Sequence, residues 1–235
     1  MYIDRITGEL LGSDGTSTNN LRVIDIREWN YVIEEKAEPQ FYPGIKELHE
    51  NSFIITINEN QIQKEIQKMA EDSFNERLEN QVFIVLNVNT GKVFARRDWI
   101  QEGKTNREIT INTYSVGSNS APRIAEGLML LAQLHSHPKE NNENRTNIRF
   151  VSKNDISVAK KLRITVFAID TFSSISIKKY LHFKQDSFAF HMHSTKNGQN
   201  KKFVGQTIGK YGLNTFNFTK YLNTILRRKK SIQFL

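Results

Sequence analysis

The stretch at residues 126–156 reads EGLMLLAQLHSHPKENNENRTNIRFVSKNDI, and it decides the fold that we expect. Its apolar run predicts a central β-strand over 127–137 that is covered on both faces. A polar loop follows, and Ser152 then predicts the start of an amphipathic helix capped by its hydroxyl group. A buried strand, a loop and a helix in this order indicate an α/β domain.

The end of the predicted strand carries two histidines at a spacing that suits a metal ion. Side chains alternate between the faces of a strand, so His135 and His137 project to the same side. If Ser152 caps the helix, Asp155 lies in its first turn, where the helix dipole favours a carboxylate. Asp155 can then supply a third ligand, which leaves one position for water.

Composition limits the kinds of site that the chain can build. Its 235 residues contain no cysteine, which excludes disulfides and thiolate-bound zinc. A transition-metal site must therefore use His, Asp, Glu and water. No apolar run approaches the roughly 20 residues of a membrane span, and no Sec-type signal opens the sequence. We expect a soluble protein, without excluding export by a contractile, type VI secretion machine.

Hydrophobic periodicity around the central stretch predicts a mixed sheet with helices against it. The predicted helices cover about 60–77, with Asn60 as the cap, then 152–162 and 216–230. The predicted strands comprise a small hairpin within 2–15 and segments at 21–24, 52–57, 82–88, 92–99, 109–116, 127–137, 163–169, 175–183 and 188–193. Residues 34–44, with two prolines, are expected to form a linker.

We expect three parts: an N-terminal leader and linker over 1–45, a main domain over 46–195 and a basic C-terminal extension over 196–235. The net charge of +8 comes from this extension, because nine basic residues and no acidic residue follow Asp186. Interleaved aromatic residues there, such as Phe216, Phe218 and Tyr221, could stack on bases. Their helical spacing instead favours docking on a core, so nucleic acid is a disfavoured partner.

The residues His135-Ser-His137-Pro, a variable loop and Ser152-x-x-Asp155 resemble the motif of the JAB/MPN/JAMM metallopeptidase family. The element order of 58–170 agrees with that family, so the resemblance covers roughly half the chain. It implies a JAMM-type, cytidine-deaminase-like mixed twisted sheet flanked by helices. It also implies zinc bound by His135, His137 and Asp155, with Ser152 helping to hold the substrate oxyanion.

The family also uses a glutamate as general base, at the entry of the first strand, in a pattern Glu-x-x-Gly-x-Leu. Glu79 opens the matching segment ENQVFIVLN, although Val82 occupies the glycine position. The resemblance therefore implies Glu79 as the base, and Glu76, one helical turn earlier, is the alternative. The long loop after His137 and Val151 in place of the usual proline are further departures from the pattern.

The resemblance implies zinc-dependent hydrolysis of a peptide or isopeptide bond in a protein or peptide substrate. The opening YIDRITGELLGSDG resembles the short leader before toxin domains in exported polymorphic toxins of Bacteroidetes, which include JAB-like domains. This implies an antibacterial effector, made in the producer's cytoplasm and exported, with secretion machinery and a cognate immunity protein as partners. The alternative is a non-catalytic JAMM-like scaffold or a basic nucleic-acid-binding module.

A second His-x-His pair, His191 and His193, passes the spacing test but lacks a carboxylate. No acidic residue follows it, so a complete site would need carboxylates from elsewhere in the chain. The sequence therefore favours one face of a partly exposed strand for this pair.

Overall fold

A computed structural model describes residues 1–15, 20–35, 44–97, 111–117, 119–138, 152–170, 190–197 and 203–211. These residues form an α/β fold with four helices and two mixed sheets. The α/β class and the mixed sheet flanked by helices are thereby confirmed. No helix in this part of the chain is both long and apolar enough to cross a membrane.

The first sheet belongs to the N-terminal region. It consists of β1 (Tyr2–Asp4), β2 (Leu10–Gly12), β3 (Arg22–Ile24) and β4 (Phe53–Ile54), in the order β2-β1-β3-β4. β1 and β2 are antiparallel, as the predicted hairpin requires, and β3 confirms the strand predicted at 21–24. Three of these strands, β1, β2 and β3, lie within residues 1–45, the range expected as a leader and linker.

Two short helices of this region were not predicted. They are α1 (Ile26–Glu35) and α2 (Gly44–Glu50), and most of the linker expected between them lies outside the described residues. Val32 of α1 and Leu48 of α2 are buried in a small cluster with Tyr2 and Ile24. In α1 the apolar residues Ile26, Trp29, Val32 and Ile33 recur at spacings of three and four, a helical pattern that the sequence prediction overlooked.

The second sheet forms the main body. Its elements are β5 (Thr56–Ile57), α3 (Glu59–Glu76), β6 (Gln81–Asn87), β7 (Lys92–Arg96), β8 (Arg123–Ala125), β9 (Leu128–His137), α4 (Lys153–Leu162), β10 (Thr165–Asp170), β11 (Phe190–Asn197) and β12 (Phe203–Tyr211). The strand order is β12-β11-β10-β9-β6-β7-β5, and β8 pairs with β9. The central strand β9 is antiparallel to β6 and parallel to β10.

The predicted strand at 52–57 is instead two short strands, β4 and β5, that belong to different sheets. The chain passes there from the N-terminal sheet to the main sheet, next to the β6–β7 turn. Gly91 in that turn has φ 72°, and a Cβ on it would collide with the carbonyl group of Ile54. Glycine is therefore needed at this close approach.

The N-cap of helix α3 lies two residues earlier than predicted. Its N-cap is Asn58 and not Asn60, because the Asn58 side chain accepts a 3.2 Å hydrogen bond from the Gln61 N–H. Arg77 ends the helix in the left-handed conformation, with φ 58°. The predicted apolar face is confirmed, since four of its residues are fully buried: Ile62, Ile66, Met69 and Ala70.

Helices α3 and α4 cover opposite faces of the main sheet. The core on the α3 side contains Val82, Ile84, Leu134 and Phe167. The core on the α4 side contains residues from the strand positions in between, which face the other way. These include Phe83, Val85, Ala159 and Val166. β9 is buried over its length except for its last residue, half-buried His137, which confirms the predicted central strand.

Several expectations differ from the structure or lie beyond it. β8 was not predicted. The structure describes residues 111–116 of the strand expected at 109–116, and there an isolated β-bridge joins Tyr114 to Arg123. β12 pairs with β11 and carries the sheet past residue 195 into the predicted basic extension. The segment 175–183, the helix at 216–230 and the loop at 139–151 lie outside the described residues.

Candidate metal centre

His135 and His137 stand at the carboxyl end of β9, on the face that α4 covers. As the strand spacing predicted, both rings project to the same side, and their Nε2 atoms lie 3.0 Å apart. His135 is buried at 3% exposure, and His137 is half-buried at the rim. Two imidazole nitrogens therefore point at a common position.

Asp155 completes the group, and the start of α4 holds it in place. Ser152 is the N-cap: its Oγ accepts a 3.1 Å hydrogen bond from the Asp155 N–H. In return, Asp155 Oδ2 accepts a 2.5 Å bond from the Ser152 N–H, forming a capping box. The other oxygen, Oδ1, lies 3.3 Å from His135 Nε2, and Oδ2 lies 3.9 Å from His137 Nε2.

Asp155 is ionised in this setting. Burial would raise the pKa of its carboxyl group, but the charge and hydrogen bond of His135 oppose burial. The backbone N–H of Ser152 and the charge of His137 act in the same direction, so the pKa of Asp155 falls well below its usual range. The carboxylate is therefore in the form that binds a cation.

The geometry of the three side chains fits a metal ion. One ligand atom from each of His135, His137 and Asp155 lies within 4.8 Å of the others. Ligand atoms around a tetrahedral zinc ion, with bonds of about 2.0–2.2 Å, would lie about 3.3–3.6 Å apart. The 3.0 Å between the two Nε2 atoms and the 3.3 Å from Asp155 Oδ1 to His135 Nε2 lie close to that range, whereas the 3.9 Å to His137 Nε2 is measured from the other carboxylate oxygen, Oδ2. Two imidazoles and a carboxylate suit zinc and neighbouring transition metals.

A pair of glutamines supports the site, and the sequence reasoning missed both. Gln133 Oε1 accepts a 3.2 Å hydrogen bond from His135 Nδ1, and Gln133 Nε2 donates a 3.2 Å bond to Gln81 Oε1. An amide oxygen can only accept, so Nδ1 of His135 keeps its proton in either charge state of the ring, and Nε2, which would lose its proton on binding a metal ion, faces the centre. The signal was a glutamine two residues before His135 in an otherwise apolar run.

The β6–β9 register places Glu79 beside the histidines. Gln81 pairs with His135, and the Ser136 N–H donates a 2.9 Å bond to the Asn80 carbonyl, which continues the ladder. Extending this register by one more residue places Glu79 opposite His137, on the same face of the sheet. Glu79 is buried at 7% exposure although it is a glutamate.

Glu76, the alternative base, has a different neighbourhood. It is exposed, and its Oε2 accepts a 3.2 Å hydrogen bond from Asn80 Nδ2. Asn80 alternates with Glu79 and Gln81, so it belongs to the opposite, α3-covered face. The structure therefore associates Glu79, and not Glu76, with the face that carries His135 and His137.

A surface cleft elsewhere in the described chain is distinct from this centre. Its walls include Thr7, Ser115 and Asn119, together with Lys161 and Arg163 at the end of α4. Asp155 lies at the opposite end of that helix. The cleft therefore contributes no residue to the metal centre.

No family model matches the chain, and no curated protein is significantly similar to it.

Proposed function

We propose that this chain is a JAMM-type zinc metallopeptidase that hydrolyses a peptide or isopeptide bond. The observation that carries the proposal is the convergence of His135, His137 and Asp155 at one position. Further support comes from their order in the chain, His-x-His-Pro followed by Ser-x-x-Asp at a helix start. A sheet with α3 on one face and α4 on the other is compatible with the JAMM type of fold.

Each side chain has a role in this proposal that follows from its position. When bound, zinc supplies a water molecule of lowered pKa and polarises the carbonyl group of the substrate. Glu79 would serve as the general base, taking up a proton at a carboxylate oxygen and delivering it to the leaving amine. Ser152 Oγ accepts the capping bond from Asp155, which leaves its own O–H proton as a donor to the substrate oxyanion.

The biological setting is the second part of the proposal. The N-terminal residues resemble the leader of exported polymorphic toxins, so we propose an effector that acts in a target cell. Its partners would be a protein substrate, the secretion machinery and an immunity protein in the producer. The alternative is a non-catalytic scaffold. Such a scaffold would need no general base, whether or not it binds a metal ion.

Metal analysis tests the centre itself. Wild-type protein purified without chelators should contain zinc that is lost in the His137→Ala and Asp155→Ala variants. His49→Ala is the matched control, because His49 contacts Asp14 in the N-terminal region, away from the centre. A folded wild type without bound metal, even after zinc is added, would exclude a zinc hydrolase.

A change at Glu79 tests the chemistry separately from the metal. Glu79→Gln should reduce hydrolysis by about 10²–10⁴-fold, the usual contribution of a general base, and should abolish toxicity in cells without the immunity protein. Zinc content and melting temperature should stay at wild-type values. Glu76→Gln is the control and should retain toxicity. A toxic Glu79→Gln variant would exclude Glu79 as the base.

A further inference from the structure

The cleft that lies apart from the metal centre has walls from three parts of the chain. The β1–β2 turn contributes Thr7 and Glu9, the segment 113–122 contributes a second wall, and the end of α4 contributes Lys161 and Arg163. The cleft volume of about 310 Å³ is at the lower end of the range for sites that bind small molecules. A small ligand would therefore fit there.

Hydrogen bonds hold these walls in place. The Ala121 N–H donates a 3.0 Å bond to the carbonyl of Ile6 in the β1–β2 turn. The buried guanidinium of Arg123 donates to the same carbonyl at 3.4 Å. At the third wall, the Arg163 N–H donates to the Ala159 carbonyl and fixes the end of α4. The cleft is therefore preformed, as sites for small molecules usually are.

Two hydroxyl groups in the walls are set up as donors. Thr7 Oγ1 accepts a 3.2 Å hydrogen bond from the Glu9 N–H, and Ser120 Oγ accepts a 3.1 Å bond from the Val116 N–H. Each hydroxyl group still has its own proton to donate. Among the described residues, neither proton is donated to a protein acceptor. Both protons are therefore available to an acceptor atom of a ligand.

Lys161 and Arg163, both exposed, add two positive charges to the cleft. Neither side chain has an ion-pair partner in the part of the chain that the structure describes. Glu9 is the only carboxylate among the lining residues, so two positive charges and one negative leave a net charge of +1. Basic residues at the end of α4 also complement the helix dipole, but the dipole does not account for the donor hydroxyls in the same cleft.

Donor hydroxyls and a net positive charge select a ligand with negatively charged oxygens. We propose that the cleft binds a small organic molecule through a phosphate or carboxylate group. Lys161 and Arg163 hold the negative charge, and the hydroxyls of Thr7 and Ser120 donate to its oxygens. The Glu9 carboxylate can only accept, so it suits a hydroxyl group elsewhere on that molecule. This site goes beyond the proposed hydrolase and is independent of it, because it shares no residue with the metal centre.

Amide chemical shifts of the full chain locate the bound ligand. Glycerol 3-phosphate and glycerate are titrated separately at constant ionic strength, because both have hydroxyl groups and the pair distinguishes a phosphate from a carboxylate. At least one of them should cause saturable shifts at Thr7, Ser120 and Arg163. The absence of saturable shifts there, or shifts confined to residues 152–155 at the metal centre, would overturn the proposal.

A charge-matched pair of double variants tests the two cations. Lys161→Gln/Arg163→Gly should weaken binding by about tenfold or more, because charge-assisted hydrogen bonds are lost. Glycine suits residue 163, which has φ 53°. Lys153→Gln/Lys160→Gln removes two charges from the same helix outside the cleft, and should change the affinity by less than about twofold. Equal losses in both variants would indicate an effect of net charge alone and overturn the site. The wild-type titration decides the proposal even if a variant does not fold.

Discussion

At the scale of single residues, the centre depends on hydrogen bonds that orient its ligands. His135 is held in one tautomer by Gln133, which is in turn held by Gln81. Partners of this kind tune metal affinity without touching the metal. Gln133 is 2% exposed, so water cannot easily take over its role as acceptor.

Gln133 is therefore expected to act as a positioning residue. Gln133→Leu should weaken zinc binding by about 10–100-fold, because His135 loses the acceptor for its Nδ1 proton. Gln133→Glu keeps an acceptor oxygen at that place and should retain most of the affinity. Chelator competition on folded protein measures both variants. Equal affinities for Gln133→Leu and the wild type would show that the tautomer is set by other contacts.

A second residue-scale prediction concerns alkaline pH. Tyr2 is fully buried, and burial together with its 2.7 Å hydrogen bond to Asp14 and the charge of Asp14 raises the pKa of its phenol far above 10.0. The folded state thus favours the neutral phenol. The resulting stability is complete below pH 10 and is lost as the pH rises above that value.

Tyr2→Phe should remove this dependence. Above pH 10 the free energy of unfolding should fall more steeply with pH in the wild type than in the variant, as measured by urea denaturation. Tyr31→Phe is the control, because Tyr31 is 45% exposed on α1 and should leave the wild-type slope unchanged. Parallel slopes for the wild type and Tyr2→Phe would contradict the predicted shift.

At the scale of elements, the start of α4 joins helix stability to the metal centre. The capping box uses the Ser152 hydroxyl, its N–H and the carboxylate of Asp155, so the same bonds that begin the helix position the ligand. α3 has a comparable cap at Asn58 without any link to the centre. The two helices therefore offer a matched comparison.

Ser152→Ala should destabilise the fold by about 1 kcal/mol, the usual cost of losing an N-cap, and should also weaken zinc binding. Asn58→Ala should cost a similar free energy of unfolding but leave zinc affinity unchanged. Ser152→Asn preserves capping, so its stability should lie within a few tenths of a kcal/mol of the wild type. Equal zinc affinities of Ser152→Ala and Asn58→Ala would show that the N-cap of α4 does not contribute to metal binding.

At the scale of the whole molecule, the N-terminal region shares a core with the main sheet. Ile3 and Val23 are buried in one cluster with Ile62 of α3 and Val82 of β6. The guanidinium of Arg123, which is 2% exposed, donates to the backbone carbonyls of Arg5 and Ile6. The Ala121 N–H also donates to the Ile6 carbonyl at 3.0 Å. The predicted boundary near residue 45 is therefore crossed by buried contacts.

Truncation of this shared core should destabilise the entire protein. Ile3→Ala should reduce the free energy of unfolding by about 2–5 kcal/mol, as expected for a large-to-small change at a fully buried position. Ile54→Ala is the control: Ile54 is 42% exposed, and the change should cost about 0.5 kcal/mol or less. Zinc-monitored and circular-dichroism unfolding should coincide. A cost for Ile3→Ala as small as the control's would show a detachable leader.

The sequence by itself determined the parts of the centre that depend on local spacing. His135 and His137 share a face because strand residues alternate, and Ser152 places Asp155 because a capping box spans four residues. The central strand and the apolar face of α3 were predictable for the same reason. Local periodicity is a property of neighbouring residues and needs no knowledge of the rest of the chain.

Only the tertiary structure decided which distant residues meet these ligands. Gln81 reaches Gln133 through a ladder that joins residues about fifty positions apart, since the two amides are 52 residues from each other in the chain. Register between such strands is chosen by burial of whole faces, and a slip of one residue would move every one of these side chains to the other face. The packing of Val32 of α1 and Leu48 of α2 against Tyr2 and Ile24 is a tertiary contact of the same kind, because no local pattern specifies which distant residues cover an apolar side chain.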